Sequence, residues 1–169
     1  MENYSLYSYA TAALANIFLL PMALLGFKKN PVAIPVIIAA LFSLCWSAVI
    51  SFTLYNSELF TSEILPVETL RNAGWLFLLS VLISRQQFSS NYVLLLKSRL
   101  AQGLIVFVGF IFILEAWPDF RYQVQQFVGQ DFRLVAHVLF AIMGLMMVEQ
   151  LYRNSSMEMR WALKFLCLG

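Results

Sequence analysis

The sequence predicts an all-α fold: a polytopic membrane helical bundle with five transmembrane helices plus the start of a sixth. Three observations predict it. Of the 169 residues, 61% are hydrophobic and 12% charged, and mean hydropathy is +0.77; soluble domains hold about 45–50% apolar and about 25% charged residues. The apolar residues gather into long runs near the roughly 20 residues that a helix needs to cross the hydrocarbon core. The lysines and arginines between those runs fall on alternate sides of the expected bundle. No stretch outside the runs is long enough for a separate globular unit, so residues 1–169 read as one transmembrane domain.

The first span covers about residues 6–27 and is opened by Tyr4, Tyr7 and Tyr9, rings that suit the headgroup layer. Pro21 inside it predicts a static kink, which membrane helices tolerate when neighbours satisfy the freed carbonyl. The first ten residues hold Glu2 and neither lysine nor arginine, so the basic start of a secretory signal is missing and the span is expected to be retained. Gly26–Pro31 combines helix-stop residues with a proline suited to the first turn of the next helix. The second span, about 32–55, ends at Tyr55.

Asn56–Pro66 reads as an acidic, amphipathic outer loop. The third span, about 68–84, begins with a polar turn in which Glu68 and Arg71 stand at i, i+3 to pair, and Arg71 and Trp75 at i, i+4 to stack. Within the following connection, Val93–Leu96 reads either as an interfacial helix or as an early start of the fourth span. That span, about 98–117, is anchored by Trp117, and Pro118–Asp131 reads as an outer loop rich in glutamine and aromatic residues. The fifth span covers about 133–151 and is followed by Tyr152. Residues 161–169 begin a sixth span but are too few to cross, so the chain reads as a fragment of something longer.

The positive-inside rule orients the bundle. Lys28, Lys29, Arg85, Lys97, Arg99, Arg153, Arg160 and Lys164 share one side, expected to be cytoplasmic; Arg71, Arg121 and Arg133 lie on the other with most of the acids. The N-terminus is thus expected outside. A net charge of only +2 argues against a nucleic-acid partner; the lipid bilayer is the expected one.

Ionisable residues within spans are costly and make default functional candidates. His137, the only histidine, shares a helical face with Arg133 and Ala141 and reads as a proton-sensitive or ligand-contacting group, or as an interfacial residue bonded to a neighbouring helix. Glu115 either shapes an outward-facing mouth or faces water. Glu149 and Arg153, at i, i+4, read as a structural ion pair. Met143, Gly144, Met146 and Met147 read as soft core packing, and Cys45 and Cys167 as buried small hydrophobes. Possible signal-sensing positions are Arg71, Trp75, Glu115, Trp117 and His137, at the outer ends of the third to fifth spans.

There is no Walker loop, HExxH, GxSxG or GxGxxG motif, and no cysteine or histidine cluster at metal-ligand spacing. No enzymatic activity, cofactor or metal is therefore expected of this chain. The alternative of a small transporter or integral-membrane enzyme fragment needs polar residues meeting near the midplane; the middle stretches are almost wholly apolar apart from Ser80.

Val148-Glu-Gln-Leu-Tyr-Arg-Asn154, followed by Arg160-Trp-Ala-Leu-Lys-Phe-Leu-Cys-Leu-Gly169, resembles the membrane region of the sensor histidine kinases of the PEP-CTERM/exosortase system. Glu68-Thr-Leu-Arg-Asn-Ala-Gly-Trp-Leu-Phe77 is similar to that family's third-span entry. The resemblance implies an N-terminal sensor region in the bacterial inner membrane, with further spans, a GAF-like domain, a phosphoacceptor helix pair and a kinase domain beyond. It also implies a homodimer and a response regulator reached through those domains. The catalytic parts lie outside this sequence, and His137, within a span, does not correspond to the phosphoacceptor.

Overall fold

The computed structural model describes residues 2–26, 33–55, 61–87, 99–128 and 132–155, and all the secondary structure among them is helical. In chain order the helices are α1 (Glu2–Gly26), α2 (Ala33–Tyr55), α3 (Thr61–Gln87), α4 (Arg99–Ala116), α5 (Pro118–Val128) and α6 (Phe132–Asn154). The expected all-α class holds. The Gly26–Pro31 turn after its first residue, Val93–Leu96, and the expected sixth-span start at 161–169 with Cys167 lie outside the described residues.

Three helices are long and apolar enough to cross a membrane: Ser5–Gly26, Ala33–Tyr55 and Phe132–Asn154. They carry large apolar side chains outward, such as Phe18, Phe52 and Leu145. Water does not tolerate contiguous apolar surface on that scale, which points to a lipid location. Polar side chains on these helices bond back to their own backbone: Thr11 Oγ1 donates to the Tyr7 and Ser8 carbonyls, and Ser51 Oγ to that of Ser47. α1 runs through Pro21 as one continuous helix. Cys45 is exposed on α2 rather than buried, and Met146 also faces outward, while Met143 and Met147 pack on the core.

The other two expected spans differ. The third lies inside α3, where Glu68, Arg71 and Asn72 occupy the first half. The apolar run left, Ala73–Ser84, rises only about 18 Å at 1.5 Å per residue, against about 30 Å of hydrocarbon. Residues 61–66, expected as loop, are the first turns of α3; Thr61-Ser62-Glu63 is helix-start chemistry. The fourth expected span ends in a bend. Gln102–Ala116 and Pro118–Phe127 meet at 107°, and count as a further span only if taken together. The glutamine-rich segment expected as a loop is thus α5. Pro118 sits at its first position, where a missing N–H costs nothing, and Asp119 falls in the first turn, where the helix dipole favours an acid. Trp117 N still donates to Ile113 O, ending α4, and Trp117 O accepts from Arg121 N, starting α5.

α3 is the hub, packed against α2, α4 and α6, while α1 packs on α2. One face of α2 is small, with Ala39, Ala40, Ser43 and Ser47 buried. Opposite stands Gly74, where an added Cβ would meet Phe42 Cδ2 at 3.0 Å and Ala39 Cα at 3.2 Å. This close approach is how membrane helices gain contact without a hydrophobic drive. Leu76, Ile111, Leu114, Ala136 and Phe140 form the main core between α3, α4 and α6; Leu79, Ile83 and Leu151 form a second cluster further along.

Candidate functional site

Glu115 is the penultimate residue of α4, and its side chain is 0% exposed. A buried carboxylate is costly unless bonded, and here both oxygens are. Thr69 Oγ1 of α3 donates to Oε2 at 2.6 Å, and His137 Nε2 of α6 lies 2.9 Å from Oε1. Both distances suit charge-assisted bonds. The carboxylate therefore ties three helices together at the edge of the main core. The expectation that Glu115 faces water is overturned: α4 ends against α3 and α6, and Leu114 and Ile111 carry the carboxylate inward with them. His137 is bonded to a neighbouring helix, one of its two expected readings. Its Nδ1 is buried and has no hydrogen-bond partner among the described residues.

Beside this bridge opens a cleft of about 500 Å³ between α1, α2, α3 and α6. Arg71, Trp75 and His137 line it together with Trp46, Asn16 and Glu68. Arg71 does not stack on Trp75 as its i, i+4 spacing suggests. Its guanidinium lies 3.8 Å over the Trp46 ring of α2, and Trp46 in turn meets Tyr9 of α1 edge to face at 5.4 Å. Trp75 turns instead to α2, where its Nε1 donates to Ser43 Oγ at 3.1 Å. Arg71 does approach Glu68, at 3.8 Å, and donates weakly to Asn72 Oδ1 at 3.3 Å.

Four of the five candidate positions therefore converge: Arg71, Trp75 and His137 on the cleft wall, and Glu115 directly behind His137. Trp117 does not join them; it is 61% exposed at the α4–α5 bend. Glu149 and Arg153 pair at 3.6 Å, but on an exposed surface away from the cleft. Thr69, Trp46 and Asn16 belong to the site without having been candidates. Asn16, an amide inside an apolar span, and Trp46, an aromatic away from the span ends, carried a usable signal; Thr69 carried none. Among the described residues no group of three or more histidines, cysteines or acids is placed to hold a metal.

Comparison with protein-family models, curated proteins and solved structures finds no significant match to this chain.

Proposed function

We propose that this chain is the membrane-embedded input module of a bacterial two-component sensor histidine kinase. It lies in the inner membrane as a multi-pass bundle with its N-terminus outside. α3 and the bent α4–α5 pair serve as the third and fourth of five spans. An envelope or membrane signal enters at the outer half of the bundle and passes to a cytoplasmic kinase outside this chain, which acts as a homodimer and phosphorylates a response regulator. No reaction is assigned to the chain itself.

The observation that carries this reading is the Glu115 bridge behind a lined cleft. A ligand touching Arg71 or His137 touches residues on α3 and α6, and the Glu115 carboxylate joins those helices to α4. A device that must convert occupancy into a change of helix packing needs such a joint between a receiving surface and a movable element. The basic connectors on one side and the runs at Val148–Asn154 and Arg160–Gly169 add support from the sequence.

The reading frame past Gly169 is the first test. Continuation into a dimerisation helix pair and an ATP-binding domain that autophosphorylates is expected; continuation into further spans with buried charges overturns the reading. In the full-length protein, Arg71→Ala, Glu115→Gln and His137→Ala should each abolish or lock the regulated output at unchanged protein level. Output that responds as before in all three variants rejects the site.

A further inference from the structure

We propose that the cleft takes a single-chain amphiphile with an anionic headgroup, a carboxylate or a phosphate, drawn sideways from the bilayer; this rests on the reading of the cleft as the signal-receiving site. The shape of the cleft comes first. α1 packs on α2, and α6 on α3 and α4, and α1 and α6 share no packed interface among the described residues. Yet Asn16 and Ala12 of α1 face the same cleft as His137, Phe140 and Gly144 of α6. The opening between α1 and α6 therefore gives onto whatever surrounds the outward apolar side chains of these helices, such as Phe18, Leu139 and Ile142. In a membrane that medium is lipid.

The chemistry of the walls is graded. At one end stands the Arg71 guanidinium, 3.8 Å over the Trp46 ring. Of its five donors, only Nη2 makes a polar contact among the described residues, and both of its contacts are long: 3.3 Å to Asn72 Oδ1 and 3.8 Å to Glu68 Oε1. Glu115, the buried acid behind His137, is already engaged by Thr69 and His137. The remaining guanidinium edge is thus an under-coordinated cation at membrane depth, a position that calls for a counter-charge, and a fork that matches carboxylate or phosphate. About 12 Å along α3 from Arg71, at 1.5 Å per residue, stands Leu79, and Ala141 and Gly144 of α6 line the cleft as well. Asn16, Ser43 and Ser47, which also line the cleft, already hold hydrogen bonds within the protein. Asn16 Nδ2 donates to Ala12 O, Ser47 Oγ donates to Ser43 O, and Ser43 Oγ accepts from Trp75. What remains for an occupant there is apolar contact. A cleft of about 500 Å³ is the size of a small-ligand pocket, which favours one chain over a two-chain lipid or a partner helix.

Tryptophan fluorescence tests this directly and independently of any kinase output. The full chain, with Trp117→Phe and Trp161→Phe to leave the cleft pair Trp46 and Trp75 as emitters, is placed in nanodiscs of unbrominated phosphatidylcholine. Dibromostearate, a brominated lysophosphatidate and the brominated fatty alcohol are titrated in. Saturable quenching by one or both anionic probes is expected, and which of them binds tighter identifies carboxylate or phosphate as the head. Arg71→Gln should raise the apparent Kd about tenfold toward that of the alcohol. Ala141→Phe, which fills the apolar end and leaves Arg71 alone, should weaken the long-chain probe but not its short-chain homologue. The proposal is overturned by quenching that rises linearly for all probes, by equal quenching from brominated phosphatidylcholine, or by indifference to both substitutions. It is also overturned if a second copy of the chain, seen by cross-linking, occupies the cleft and excludes the probes. Saturable binding beside a reading frame without a kinase would keep this inference and reject the signalling function.

Discussion

Glu115 and His137 stand 22 positions apart in sequence and 2.9 Å apart in space, the acid wholly enclosed and the imidazole at the wall of an open cleft. The enclosed member of the pair also accepts from Thr69 on a third helix. A single carboxylate is therefore the common partner of α3, α4 and α6, and the part of that network in reach of a ligand is the histidine. Strength and access are divided between two side chains: the acid is sealed inside the bundle and the histidine is open to the cleft.

Removing the whole Glu115 side chain should destabilise the bundle more than removing its charge alone. Glu115→Ala strands the Thr69 hydroxyl and the His137 Nε2 beside a cavity, at about 1–3 kcal/mol for each unsatisfied group. Glu115→Gln keeps the shape and should cost less. A double-mutant cycle of Glu115→Ala with Thr69→Val should give a coupling near 0.6 kcal/mol, up to about 1.7, as for hydrogen bonds between membrane helices. Thermal unfolding in detergent measures it; purely additive effects would mean that the 2.6 Å contact contributes nothing.

The long apolar helices were legible because composition alone decides them: α1, α2 and α6 fall within a few residues of the runs that predict them. α5 was not, because Gln123, Gln125 and Gln126 hide the Phe120–Val124 stripe that it lays on the core. The span count was only partly legible, since α3 mixes a polar half with a short apolar one. In the site, His137 stood out as a lone histidine in an apolar run. The partners did not, because they depend on register between helices. Local spacing offers Arg71 the ring of Trp75, whereas the packing of α2 on α3 gives it Trp46. The burial of Glu115 follows from where α4 stops, which no periodicity in the chain encodes.

Gly74 should be the least replaceable glycine among those described. A methyl there meets the Ala39 backbone at 3.2 Å as well as the Phe42 ring at 3.0 Å; the ring can swing aside, but the backbone moves only if α2 moves. Gly74→Ala should therefore lower the melting temperature in spite of alanine's better helix propensity. At Gly109 an added Cβ meets nothing within 4 Å, so Gly109→Ala should be neutral or stabilising by up to about 1 kcal/mol. Equal shifts for the two substitutions would refute the close contact of α2 with α3.

The bend at Trp117 should be held by α5's own packing as well as by Pro118. Phe120 packs on the main core and meets Phe110 edge to face at 6.2 Å, while Phe127 is 93% exposed. Phe120→Ala should destabilise by about 1–2 kcal/mol, below the roughly 3–5 of a fully buried phenylalanine. Phe127→Ala should leave stability unchanged. Spin labels on α4 and α5 should report a wider spread of distances in Phe120→Ala than in Phe127→Ala; identical distributions would leave Pro118 as the sole cause of the 107° bend.

Glu149 supplies the contrast that separates burial from mere pairing. Like Glu115 it is an acid near one end of an apolar helix with a basic partner in reach, here Arg153 at 3.6 Å. Its side chain is 65% exposed and that of Arg153 77%, so water screens the attraction and side-chain freedom opposes it. Such pairs contribute about 0.3–0.5 kcal/mol on a helix, and often nothing measurable. Glu149→Gln and Arg153→Gln, singly or together, should leave the unfolding midpoint within error, and added salt should not distinguish them from the parent. If Glu149→Gln destabilised the bundle as much as Glu115→Gln, burial would not be what makes the Glu115 carboxylate structural.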